Sequence, residues 1–207
     1  VKDVEWASGE RVSLRWEGSG DPLVVLAHGA GTNQDHPAVA ALRRALAAAG
    51  LAVVTFNYPY TEAGKRRPDP LPRLLACHRA VVAAVGGERP ILAGRSMGGR
   101  LATYLAADGV TCRAVVAYAY PLHPAGRPDR LRADHLAAVA VPMLFFRGTR
   151  DALSRADLFD RLVRPLPTAT VVDLEGADHG LRGKGWTPER VAETLAAGTA
   201  AWLGAVR

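Results

Sequence analysis

No stretch of the chain reaches the ~18 consecutive apolar residues needed to cross a membrane. Its opening, Val1-Lys2-Asp3-Val4-Glu5-Trp6, lacks the apolar core of a signal peptide. A cytoplasmic protein is therefore expected. Only two cysteines are present, Cys77 in an apolar helical pattern and Cys112 at the start of a strand pattern. They are too few for a disulfide framework and read as reduced core residues. Aromatic residues make up 6% of the 207, too few for a base-stacking platform, and no recognised nucleic-acid module occurs. The net charge of +6 is the one compositional hint of nucleic acid, but the arginines behind it are scattered. Arg43-Arg44, Arg66-Arg67 and the loop arginines Arg127, Arg130 and Arg132 read as solvated surface. No His/Cys/Asp/Glu cluster has metal-ligand spacing. Gly29 and Gly31 lack the third glycine of a dinucleotide fingerprint, and no Gly-Lys-Ser/Thr follows them. The sequence thus predicts no metal, no cofactor, no nucleic-acid partner and no membrane partner.

What is present is a composition 49% hydrophobic and 22% charged, enough for one domain with a substantial core. Strand-length apolar runs alternate with helical patterns from residue 23 onward. The strands are Leu23 to Ala27, Leu51 to Asn57, Ile91 to Ala93, Arg113 to Ala119, Met143 to Arg147 and Thr170 to Leu174. Helices are expected over Pro37 to Ala49, Leu71 to Val85, from Met97, and over Pro188 to Leu203, the last capped by Thr187. Tyr58 to Pro70 reads as a loop. Continuously apolar strands separated by helices imply an α/β fold, a mostly parallel central sheet with helices on both faces. Arg11 to Trp16 alternates and suits an antiparallel edge strand. No repeat, low-complexity tract or linker divides residues 1–207, so one domain is expected.

Gly94-Arg95-Ser96-Met97-Gly98 follows the apolar run Pro90-Ile91-Leu92-Ala93. A serine between glycines, where a buried strand hands over to a helix, is the pattern of a nucleophile elbow. By itself G-x-S-x-G arises by chance in roughly one chain in fifteen of this length. The preceding strand and following helix give it weight, because they put Ser96 at a positive helix N-terminus.

A serine hydroxyl is a poor nucleophile without a base. Of six histidines, only His179 follows a late strand, in the loop Glu175-Gly176-Ala177-Asp178-His179-Gly180. The base needs an acid to fix its tautomer, and Asp151, just past the Met143 to Arg147 strand, is the best placed. Asp173 falls inside a strand, Glu175 and Asp178 are too close to His179 in sequence, and Asp178 is expected to order its own loop. An oxyanion hole would combine the Met97 amide with one from His28-Gly29-Ala30-Gly31. Ala30 is the choice there and Gly31 the fallback. His28 reads as loop-structuring, His78 as core, His36 and His135 as structural, and His123 as a residue that could line the pocket. The segment Tyr120 to Pro142 is too short for a large lid domain. The substrate is expected to meet Tyr60, Tyr120 and Leu122, with Trp186 as a further wall. Arg95 either greets an acidic substrate or braces the elbow.

These motifs, together with Gly148-Thr149-Arg150-Asp151 and Asp178-His179-Gly180, resemble the small α/β-hydrolase superfamily, whose triad follows the order Ser96, Asp151, His179. More closely, they are similar to dienelactone-hydrolase-like proteins and to the testis-expressed and NSL-complex-subunit group. Tyr58-Pro59-Tyr60 and Tyr120-Pro121-Leu122-His123-Pro124 add to that likeness. Dienelactone hydrolases proper carry a cysteine nucleophile where this chain has Ser96. The resemblance implies an α/β-hydrolase fold and a serine hydrolase acting on a small ester or thioester. The alternatives are a peptidase or acyltransferase with the same machinery, or a non-catalytic interaction module.

Overall fold

A run such as Leu23–Ala27 (LVVLA) has no polar face to offer water, so it forms a strand covered on both sides. Five such runs build the centre of this protein. The computed structural model describes residues 2–206. Its strands are β1 (Asp3–Ala7), β2 (Glu10–Glu17), β3 (Leu23–Ala27), β4 (Ala52–Phe56), β5 (Ile91–Arg95), β6 (Ala114–Tyr118), β7 (Met143–Gly148) and β8 (Ala169–Leu174). They form one sheet in the order β1-β2-β4-β3-β5-β6-β7-β8. β2 runs antiparallel to β1 and β4, and every other pair is parallel. The helices are α1 (Pro37–Ala48), α2 (Pro59–Glu62), α3 (Leu71–Val85), α4 (Met97–Ala107), α5 (Ala156–Leu162) and α6 (Pro188–Ala205).

Alternate residues of each strand face opposite sides, and the two cores show it. Val25, Leu92, Val115 and Phe145 pack with α3, α4 and α5, through side chains such as Val81, Leu101 and Phe159. Val24, Val53, Val116 and Phe146 pack with α1 and α6, through Leu42, Leu46 and Leu195. The mostly parallel sheet with helices on both faces is thus present. Between β6 and β7, in the segment where a lid could be inserted, there is only a short 3₁₀ turn at Asp134–Ala138.

Three local elements differ from the sequence reading. The alternating segment at Arg11 to Trp16 does form a strand, but β1 lies outside it and takes the sheet edge. β1 buries only Val4, while Asp3 and Glu5 pair with Arg11 at the surface, so its apolar signal is faint. The loop from Tyr58 contains the single turn α2, started by Pro59. α5 is a helix that the sequence reading does not include. Its seven residues bury only Leu158 and Phe159.

Two histidines are structural, and they set a pH dependence. The Tyr58 amide donates to His28 Nε2 at 3.2 Å, which leaves the proton on Nδ1 to donate to Gly29 O at 2.8 Å. The Tyr58 hydroxyl lies 3.1 Å from His78 Nδ1. Burial pushes the pKa of His28 down to about 4 and that of His78 down to about 3. Both are neutral in the fold, whereas the unfolded chain protonates them near pH 6.5. The unfolded state therefore binds more protons below that pH, and stability falls as the solution is acidified. The full contribution is present above about pH 6.5 and is lost towards pH 4. Between them the two groups impose a slope of up to about 3 kcal/mol per pH unit. Urea midpoints at constant ionic strength should be level from pH 8 to 7 and drop steeply by pH 5. A midpoint level down to pH 4.5 would exclude neutral, buried histidines.

Candidate active site

The parallel strands end along one sheet edge, where ligands bind in open α/β sheets. β3, β5, β7 and β8 each deliver one loop there. β5 ends at Arg95 and α4 begins at Met97, so the chain turns on Ser96 alone. Ser96 has φ 51° and ψ −113°, a conformation rare for a residue with a side chain. Its amide donates to Tyr118 O at 2.8 Å and its carbonyl accepts from the Arg100 amide at 3.1 Å, so both neighbouring elements hold the turn. Gly94 and Gly98 are required by contact. A Cβ on Gly94 would lie 2.2 Å from Gly98 C, and one on Gly98 would lie 2.4 Å from Ala27 O. Both obstacles are backbone and cannot swing aside. Gly98→Ala is expected to separate α4 from β3 and destabilise the fold by about 3 kcal/mol or more. The urea midpoint measures this, and an unchanged midpoint would contradict the packing described.

Ser96 Oγ lies 2.8 Å from His179 Nε2. On the far side of the ring, His179 Nδ1 lies 2.8 Å from Asp151 Oδ2. The Asp151 side chain is wholly buried, while that of His179 is 28% exposed. Asp151 Oδ1 accepts from the Leu153 amide at 2.7 Å, so both carboxylate oxygens are occupied and the group cannot rotate. Two backbone bonds lash the histidine loop to the end of β7: Arg150 N donates to Ala177 O at 2.9 Å and Thr149 N to Leu174 O at 3.1 Å. Arg95 Nη2 adds a third tie, donating to Gly180 O at 2.8 Å. A chain of this kind can take a proton from a hydroxyl and hold the resulting imidazolium against a carboxylate.

The other acids near His179 are engaged elsewhere. Asp173 accepts from Arg147 at 2.8 Å and Arg164 at 2.7 Å. Its partial burial favours the neutral acid, but the two guanidinium groups outweigh that and hold its pKa below the usual carboxylate range. Glu175 accepts from the Thr149 hydroxyl at 3.3 Å. Asp178 accepts from the Arg182 amide at 2.9 Å and so orders its own loop.

A cavity of about 690 Å³ opens beside Ser96 and His179. Gly29, Ala30 and Thr32 line it, as do Arg95, Arg150 and Arg182. Its apolar lining comes from Leu42 of α1, Val191 and Leu195 of α6, and Trp186, whose Nε1 donates to Glu175 O at 2.8 Å. Met97 buries its side chain. Its amide belongs to the first turn of α4, where N–H groups have no acceptor within the helix. A Cβ on Gly29 would meet Ser96 Cβ at 3.5 Å, so the loop holding Ala30 lies against the elbow. Among the described residues no group of three or more metal-ligating side chains is gathered.

The expected substrate contacts need correction. Tyr60, Tyr120 and Leu122 do not line the cavity. They are buried in the core under α3, α4 and α5, whereas the cavity's apolar wall belongs to the α1 and α6 side. Tyr120 donates to Arg132 O at 2.6 Å, and Tyr60 sits edge-on to the His28 ring. His123 is likewise structural, with Nε2 accepting from the Arg155 amide at 3.3 Å. Trp186 does line the cavity. The sequence does not mark the α1 and α6 contributions, because Leu42, Val191 and Leu195 also belong to the apolar faces that pack in the core. His36, the side-chain cap of α1 through Ala38 N, is another cavity residue that its His-Pro sequence marks only as a helix start.

Comparison with known proteins agrees with this architecture. Est1E from Butyrivibrio proteoclasticus, solved with ferulic acid bound, superposes with a TM-score of 0.81 at 15% identity, over 99% of this chain and 100% of that one. A thioesterase domain from the curacin biosynthetic pathway gives 0.72 at 18% identity, over 97% of each chain. A lidless α/β serine hydrolase from Xanthomonas campestris gives 0.72 at 20% identity, over 93% of this chain and 89% of that one. At identities this low the superpositions show a shared fold and nothing more. The family model described as an alpha/beta hydrolase domain matches residues 20–204, and the chain belongs to that family.

Proposed function

We propose that this protein is a serine hydrolase that cleaves a small carboxylic ester or thioester through an acyl-enzyme on Ser96. The observation that carries the reading is the pair of 2.8 Å contacts linking Ser96, His179 and Asp151 beside the cavity. As Ser96 Oγ bonds to the substrate carbonyl carbon, its proton passes to His179 Nε2, and Asp151 stabilises the imidazolium. The carbonyl oxygen takes up the negative charge and is held by the Met97 and Ala30 amides, each worth about 10²–10³ in kcat. Collapse breaks the bond to the leaving group, which receives the proton from His179. Water then attacks the acyl-enzyme by the same route in reverse, releasing the acid and restoring the Ser96 hydroxyl.

A cavity of this size suits a small molecule, and the ferulic acid seen with Est1E and the thioesterase domain among the structural neighbours are consistent with an acyl substrate. We infer further that within the family the chain is most similar to the dienelactone-hydrolase-like and testis-expressed/NSL-complex-subunit groups, with Ser96 where dienelactone hydrolases proper carry cysteine, and that residues 1–207 act as one domain. A fluorophosphonate probe provides the test. The expected result is one covalent adduct, located on the Ser96 peptide by mass spectrometry. A folded protein that remains unlabelled would overturn the reading.

A further inference from the structure

We infer that the cavity is built for a substrate bearing an anionic oxygen group, carboxylate or phosphate, on an otherwise apolar ester or thioester. The inference rests on the hydrolase reading above and adds a substrate class to it.

Arg95 is its centre. The residue adjoins Ser96, is half-buried, and lines the cavity. The two most deeply buried arginines each reach a carboxylate: Arg43 has Glu17 at 3.6 Å and Arg147 has Asp173 at 2.8 Å. Among the described residues Arg95 has no carboxylate partner. Its bond to Gly180 O uses one of five guanidinium donors, so bracing the histidine loop accounts for only part of its capacity. Burial lowers its pKa, with Arg182 repelling it further and Asp178 offsetting part of the effect. A half-buried cation with no carboxylate bonded to it is only partly compensated for its lost hydration, and an anion arriving with the substrate would supply the rest.

The surroundings increase the positive potential. Arg150 lines the same cavity, is exposed, and has no ion pair among the described residues. Arg182 is the third cation. Asp178 is the one carboxylate on the cavity wall, and it is committed to the Arg182 amide at 2.9 Å and guanidinium at 3.7 Å. The same lining includes the apolar side chains of Leu42, Val191, Leu195 and Trp186, which can take hydrocarbon but offer an anion nothing. A lining that combines cations with apolar side chains suits a substrate that carries both an anionic group and hydrocarbon, with its acyl carbon at Ser96.

Two matched substrate pairs test the inference. The first is 4-nitrophenyl hemiglutarate against 4-nitrophenyl pentanoate, which differ by a terminal carboxylate. The second is pentanoyl-coenzyme A against its N-acetylcysteamine thioester, which lacks the phosphates. In at least one pair the charged member should have the higher kcat/KM, by about tenfold or more. A preference in the first pair identifies a carboxylate, and one in the second identifies a phosphate. Arg95→Gln, which keeps a donor for Gly180, and Arg150→Gln should each move that ratio towards one. Loosening of the histidine loop would slow both members together and leave the ratio unchanged. Ratios near one in both wild-type pairs, or ratios insensitive to both substitutions, would overturn the inference while the hydrolase reading stood. Failure to cleave any of the four, with no fluorophosphonate labelling, would remove both.

Discussion

Ser96→Ala is expected to lower kcat for ester hydrolysis by about 10⁴–10⁶ and to abolish fluorophosphonate labelling. The size follows from the role. The remaining groups can polarise a bound carbonyl and position water, but no covalent intermediate can form. His179 Nε2 faces only the space left by the hydroxyl. The fold should hardly register the change. Ser96 keeps its place through its own amide and carbonyl, bonded to Tyr118 O and the Arg100 amide. Alanine retains the Cβ that the φ of 51° already accommodates. Its hydroxyl has His179 as its only hydrogen-bond partner among the described residues. Turnover of a 4-nitrophenyl ester, labelling and the urea midpoint should be measured on one preparation. Loss of the first two with the third unchanged is the expected pattern. Turnover within tenfold of wild type would remove Ser96 from the reaction.

The sequence carried the positions of Ser96, His179 and Asp151 because backbone constraints place each of them. A parallel sheet sends every strand's C-terminal loop to one edge, so a residue just past an apolar run is located without knowledge of its side-chain packing. Gly94 and Gly98 are written into the chain by close approaches that tolerate no Cβ. The cavity wall was not legible in the same way. Loops after β4 and β6 reach the same edge, yet whether they fold over the α1 face or the α3 face depends on packing between distant helices. Tyr60 and Tyr120 went to the α3 face as core aromatics, and Leu42 and Leu195 took the positions assigned to them. Aromaticity near a strand end therefore marked burial here, with no bearing on substrate. Arg95 had two readings in the sequence, and the bond to Gly180 O answers for the bracing one.

Asp151→Asn should cost nearly as much as losing the nucleophile, about 10⁴ in kcat, although it changes neither size nor shape. The reason lies in how many acceptors the position needs. The aspartate accepts twice, from the Leu153 amide at 2.7 Å and from His179 Nδ1 at 2.8 Å. Asparagine offers one oxygen and one NH₂. The Leu153 amide is a fixed donor with no alternative tautomer, so the oxygen stays with it and the NH₂ turns to the ring. His179 can adapt by moving its own proton. Nδ1 then becomes the acceptor, and the proton shifts to Nε2, where it points at Ser96 Oγ. A ring that already donates from Nε2 cannot take the serine proton there, so attack is blocked with every heavy atom in place. Fluorophosphonate labelling should slow along with ester turnover, because both need the same deprotonation, while circular dichroism stays unchanged. Asp178→Asn should have a much smaller effect, since Asp178 serves Arg182 and makes no bond to the ring. If the two substitutions exchanged effects, the acid partner of His179 would be Asp178 and the orientation of the imidazole described here would be wrong.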